Sequence, residues 1–187
     1  ITNSETFRRV AGLSEQTRIP MILSPRFLLL GAFLTGPALI ATARIERTVE
    51  KSFNVTGAGT LWLETQGGAI WVTSSEGSIV TITAVQKIKA RTEAEADDVL
   101  RKLDLSFEQS GNDVRASAEY DSRPPGFHFG SWPPVNVDFI VAVPVDFAAD
   151  VRTSGGKIEV GNLAGRVNAR TSGGAIRLGK LGAGVEA

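Results

Sequence analysis

The sequence predicts a mostly β protein of the β-solenoid or β-helix-like class, in which short strands stack through Gly-rich turns. Three observations predict it. One unit is written twice near the end of the chain: Thr153, Ser154, Gly155, Gly156, Ile158, Val160, Gly161, Leu163 and Val167 return eighteen residues later as Thr171, Ser172, Gly173, Gly174, Ile176, Leu178, Gly179, Leu181 and Val185. A short fixed period of this kind marks stacked units. Within a unit the apolar residues alternate, Ile158 and Val160 around Glu159, and Val167 and Ala169 around Asn168, which is the period-two pattern of a strand. The Gly-Gly pairs, with Gly161 and Gly165, fall between strands, where glycine's access to positive φ predicts turns. A unit of two or three short strands cannot cover its inner face alone, so it needs a neighbour.

Taken in order, residues 1–20 show no period and are expected to be an upstream extension outside the fold. Met21, the only methionine, opens a short basic segment ending at Arg26, an apolar run over 27–40 and the small-x-small sequence Ala41-Thr-Ala43. Residues 21–43 therefore read as an N-terminal signal helix, which anchors the chain to a membrane if it is left uncleaved. A β-rich part with one helix is expected over 44–143. Val49, Phe53 and Val55 predict a first strand, and Thr60 to Thr65 alternates. Gln66-Gly-Gly68 followed by Ala69-Ile-Trp-Val72 is a degenerate first copy of the repeat. Residues 79–85 are strongly β-prone. A short helix is predicted over about 92–103: Thr92 and Glu95 form a capping box, and Ala96, Val99, Leu100 and Leu103 share a face. Residues 104–109 and 114–120 read as a hairpin across Ser110-Gly-Asn-Asp113. A loop over 121–134 carries four prolines, and strand resumes over 135–143. Residues 144–187 form the Gly-rich repeat part, which ends inside a unit and predicts further units beyond Ala187.

Composition removes several kinds of chemistry. Twenty Lys and Arg balance twenty Asp and Glu, so no overall field draws nucleic acid. The chain has no cysteine and one histidine, which excludes disulfides, thiolate metal sites and imidazole clusters. Gly57-Ala-Gly59 lacks the third glycine of a nucleotide loop, and neither repeat has the aspartate of a calcium-binding Gly-Gly-x-Gly-x-Asp unit. Ser154 and Ser172 have no base in their own units. No catalytic residue, metal ligand or cofactor site is expected, and the chain reads as a non-enzyme.

The elements now placed include Thr-Ser-Gly-Gly-x-Ile-x-Val or Leu, then Leu-x-Gly-x-Val-x-Ala, preceded by a strand ending in Val141-Ala-Val-Pro144. In these motifs the chain resembles the bacterial putative-adhesin family, the toast-rack-like β-strand-repeat domain of unknown function, over roughly 49–187. The resemblance implies an exported or membrane-tethered β-solenoid at the cell envelope, in the periplasm or at the cell surface. The family offers no catalytic residues to carry over.

If units stack in register, residues eighteen apart lie above one another about 4.8 Å apart. Glu159 then pairs with Arg177, and Thr153 with Thr171 in a hydroxyl ladder. Arg152 under Arg170, with Lys157 and Arg166 near them, is a candidate face for an anionic ligand. Phe127, His128, Phe129 and Trp132 in the proline-rich loop form a candidate aromatic contact; Trp62 and Trp71 read as core or strand-face residues. Expected partners are cell-surface polysaccharide, the membrane surface or an envelope protein, and the expected role is adhesion or scaffolding. The rival expectation is a glycan-active parallel β-helix enzyme with its carboxylates beyond Ala187.

Overall fold

Alternating apolar side chains draw the chain into two six-stranded sheets. The computed structural model describes residues 44–120 and 133–182, and the backbone of 185–186. The upstream residues 1–20, the expected signal helix over 21–43 and the candidate loop residues Phe127, His128, Phe129 and Trp132 lie outside the described residues.

The elements are β1 (Ile45–Asn54), β2 (Thr60–Thr65), β3 (Ile70–Ser75), β4 (Ile79–Ile88), α1 (Glu93–Leu100), β5 (Leu103–Ser110), β6 (Asp113–Tyr120) and β7 (Val135–Pro144), then β8 (Ala148–Thr153), β9 (Ile158–Val160), β10 (Val167–Thr171), β11 (Ile176–Leu178) and β12 (Val185–Glu186). Sheet A has the order β1-β4-β7-β3-β9-β11, and sheet B the order β12-β10-β8-β2-β6-β5. Both are mixed. Strand β4 runs antiparallel to β1 and β7, and β5 antiparallel to β6, while the remaining neighbours are parallel. Among the described residues the protein is thus mostly β with one short helix, and neither sheet closes on itself.

The repeat occupies the parallel halves. Thr171 lies opposite Thr153, Ile176 opposite Ile158, and Leu181 bridges to Leu163, each across eighteen residues. The degenerate copy joins in the same register, with Thr65 opposite Thr153 and Ile70 opposite Ile158. Its position is less simple than its sequence. After β3 the chain leaves through β4, α1, β5 and β6 and returns as β7, so β2 sits between β6 and β8, and β3 between β7 and β9. Burial follows the alternation: Leu61, Leu63, Ile70, Val72, Val151 and Ile158 are withdrawn from water in one core cluster, where each large aliphatic side chain contributes about 1.5–3 kcal/mol.

Two local expectations need correction. The helix predicted over 92–103 ends at Leu100, and Leu103 opens β5 opposite Tyr120. The alternation Leu103-x-Leu105-x-Phe107 packs against the core cluster, so the strand period wins at that residue. The Oγ1 of Thr92 accepts the Glu95 N–H at 3.2 Å as a cap should, but the Glu95 carboxylate accepts from the N–H of Arg91, one residue before the cap. From the edge strand β1, Arg47 reaches both Glu93 and Asp97 on the helix, at 2.9 and 2.6 Å.

The second correction concerns the turn glycines. Of the described glycines in the repeat units, Gly68 alone has positive φ, at 123°. At the second glycine of each later pair the requirement is closeness. A Cβ on Gly156 would lie 1.7 Å from the carbonyl oxygen of Gly68, and one on Gly174 would lie 1.9 Å from that of Gly156. The turns of successive units touch backbone to backbone, which only glycine permits.

Candidate functional site

The outward face of sheet B is built by the same alternation that builds the core. Strand β2 turns Leu61, Leu63 and Thr65 inward, leaving Trp62 and Glu64 outside; β8 buries Ala149, Val151 and Thr153 and presents Asp150 and Arg152. Register then sets two rows across the strands. One runs Asn168, Asp150, Trp62, Arg115, and the other Arg170, Arg152, Glu64, Ser117. The Arg115 guanidinium lies 5.4 Å from the centre of the Trp62 ring, a cation–π distance. Asp150 accepts from Arg152 Nε at 3.1 Å and from Asn168 Nδ2 at 3.0 Å. A side-chain pair two residues apart on one strand is thereby fixed to the neighbouring unit.

Sheet A presents a different face. Trp71 lies beside Glu159, and Glu159 beside Arg177. The Lys157 ammonium sits 4.8 Å from the Trp71 ring centre and 3.1 Å from Glu159 Oε1, and Arg177 Nη1 donates to the same oxygen at 2.9 Å. These donors, Lys157 first and Arg177 next, hold the Glu159 carboxyl below its usual range. Further along the sheet the buried Asp138 accepts from Lys87 at 2.6 Å and from the Ala69 N–H at 2.8 Å. That bond raises the pKa of Lys87 against the opposing effect of its partial desolvation.

Of the predicted basic residues, the structure brings Arg152 and Arg170 together, in register on adjacent parallel strands of sheet B. It does not bring the other two to them. Lys157 is engaged on the sheet A side. Arg166 precedes β10, four residues before Arg170, or roughly 13 Å along an extended strand. The pairing of Glu159 with Arg177 forms as its spacing requires. Thr153 and Thr171 are also opposed, but their hydroxyls do not bond each other: Thr153 Oγ1 donates to the Gly68 carbonyl at 3.0 Å and Thr171 Oγ1 to the Gly156 carbonyl at 2.9 Å.

The sequence reading gave Trp62 as a core or strand-face residue, and it lies half-buried on the outward face of β2; Arg115 and Asp150 it passed over. Asp150 and Arg152, opposite charges two apart in an alternating stretch, carry a readable signal, whereas Arg115 reaches Trp62 only through the pairing of β2 with β6. Among the described residues there is no group of three or more His, Asp or Glu side chains placed to hold a metal ion, and no helix is long and apolar enough to cross a membrane.

No family model and no curated protein matches the sequence. Solved structures similar to this chain include a "putative cell adhesion protein" from Clostridium sporogenes, at 10% identity over 66% of this chain and 61% of that one, with a TM-score of 0.39. A "putative adhesin" from Bacteroides fragilis matches at 10% identity over 70% of this chain and 61% of that one, with a TM-score of 0.35. A "putative lipid binding protein" from Parabacteroides distasonis matches at 10% identity over 72% and 61%, with a TM-score of 0.31. The chain thus spans 61% of the length of each of these three.

Proposed function

We propose that this protein is a non-catalytic, exported β-solenoid module of the cell envelope that binds anionic surface polymers, serving adhesion or scaffolding, with residues 21–43 as its export signal and 1–20 upstream of it. One observation carries the reading. Arg152 and Arg170 project from adjacent in-register strands on one outward face, both exposed, with Glu64 on the far side of Arg152. Charge along that row runs acid, base, base, so its positive end lies toward the repeat units. Two arginines whose backbones lie one strand spacing, about 4.8 Å, apart can bring their guanidinium forks to one carboxylate, sulfate or phosphate group. A rigid strand platform holds their backbones in place, which leaves only the side-chain rotamers to be ordered at binding.

Three acids of the two sheets support a binding role over a hydrolytic one. Asp138, Asp150 and Glu159 are each bonded to a cation, Lys87, Arg152 and Lys157 with Arg177 respectively. A general acid needs a raised pKa, and the shift at Glu159 runs the other way.

The test has two arms. Cell fractionation of the tagged full chain should place it in the periplasm or at the cell surface. Purified protein should bind acidic polysaccharide or anionic vesicles in a salt-sensitive manner, and the charge reversal R152E/R170E should remove that binding. Cytoplasmic residence, or unchanged binding by the double variant, overturns the reading.

A further inference from the structure

We infer that the anion face of sheet B is a polysaccharide site, in which Trp62 seats a sugar ring and Arg152 with Arg170 holds an acidic group further along the same chain. This rests on the proposed anion-binding role of the two arginines and names the ligand class. Two hollows open side by side on that face. One, of about 380 Å³, is lined by Trp62, Arg115 and Asp150, and the other, of about 210 Å³, by Arg170, Ser154 and Ser172; Glu64 and Arg152 line both. Those two side chains form the border that the hollows share.

The chemistry of the two halves differs. Around Trp62 the cations Arg115 and Arg152 face the carboxylates Glu64, Glu119 and Asp150, so an anion gains no net attraction there. A ligand rich in hydroxyl groups is served by both kinds of neighbour, because a hydroxyl donates to a carboxylate and accepts from a guanidinium. The half-buried indole supplies an apolar surface for the C–H face of a pyranose ring once the Arg115 guanidinium, 5.4 Å from the ring centre, gives way to the sugar. In the second hollow Arg152 and Arg170 present guanidinium N–H groups, and Ser154 and Ser172 add hydroxyl groups, a set of donors that suits a carboxylate or sulfate.

Distance sets the size of the ligand. Trp62 on β2 and Arg170 on β10 are separated by two strand spacings and a two-residue offset, roughly 12 Å. One sugar ring does not span that interval, and an oligosaccharide does. A lipid headgroup offers a compact phosphate that fills only the second hollow.

The experiment titrates the full chain with uronate hexamers, sulfated glucan hexamers, their neutral counterparts and free uronate, and separately with phosphatidylglycerol vesicles. At least one acidic hexamer should bind more tightly than its neutral counterpart and than the free uronate. W62L should weaken hexamer binding at least about tenfold, a truncation effect typical of an aromatic anchor, while W62F retains most of it and circular dichroism shows both variants folded. Vesicle binding should be insensitive to W62L. If W62L leaves hexamer affinity within about twofold of wild type while R152E/R170E abolishes it, the sugar seat is overturned and the anion-binding reading stands. Failure of every acidic hexamer to bind, or free uronate binding as tightly as a hexamer, also overturns it, and vesicle binding then reports separately on the arginine pair.

Discussion

The hydroxyl of Thr171 donates to the carbonyl oxygen of Gly156 at 2.9 Å, and Thr153 stands in the same relation to Gly68 at 3.0 Å. Each threonine also accepts an N–H from the turn of its own unit, Gly156 onto Thr153 at 3.2 Å and Gly174 onto Thr171 at 3.1 Å. One buried hydroxyl therefore closes its own turn and ties that turn to the unit beneath. Thr153→Val keeps the shape and withdraws both bonds, so it should lower stability by about 1–3 kcal/mol in denaturant unfolding. Thr153→Ser should lose less. A valine variant as stable as wild type would show that the stack is held by packing alone.

The glycine pairs give a sharper contrast. A methyl on Gly156 meets the Gly68 carbonyl, whereas nothing lies within 4 Å of one on Gly155. Gly156→Ala should therefore cost more than about 3 kcal/mol, beyond ordinary overpacking, because backbone and not a flexible side chain must give way. Gly155→Ala should stay within about 0.5 kcal/mol, as open surface substitutions do. Equal melting temperatures for the two variants would remove the close approach as the reason for the second glycine.

Those glycines also show where reading a sequence stops. Eighteen-residue spacing told which side chains oppose one another, and Glu159 with Arg177, Ile158 with Ile176 and Thr153 with Thr171 all follow from it, because a local period needs no knowledge of distant chain. It did not tell why each glycine is there, since a missing Cβ looks the same whether the backbone combines positive φ with a close carbonyl, as at Gly68, or has the close carbonyl alone, as at Gly156. The placing of β3 between β7 and β9 was equally hidden, being a choice among pairings separated by more than sixty residues. The candidate site divides along the same line. Arg152 and Arg170 belong to the period, while Trp62 acquires Asp150 and Arg115 through two non-local registers. Leu103 fits both the helix face and the strand alternation, and only tertiary pairing with Tyr120 decides between them.

Ile158 and Ile176 occupy one position in successive units, yet the first is fully buried and the second only partly. Ile158 has a neighbour on each side, Ile70 and Ile176. Ile158→Ala should cost about 2–5 kcal/mol, transfer plus cavity. Ile176→Ala should cost markedly less, since its site can relax toward water. Paired urea melts check this; identical losses would mean that stacking does not grade the core.

Glu159 accepts from Lys157 on its own strand segment and from Arg177 on the next unit, and these donors depress its pKa. The sign follows from linkage: a carboxyl whose folded pKa lies below its unfolded value adds stability that is complete above the unfolded value of about 4.5 and disappears as pH falls through the folded one. Glu159→Gln should thus be less stable than wild type near neutral pH and approach it at acid pH. Because the group is exposed, salt should also narrow the difference. Thermal melts of both proteins between neutral and strongly acid pH, at low and high salt, supply the comparison. A gap that widens on acidification would contradict the depressed pKa, and with it the assignment of Glu159 as the carboxylate joining the last two units on sheet A.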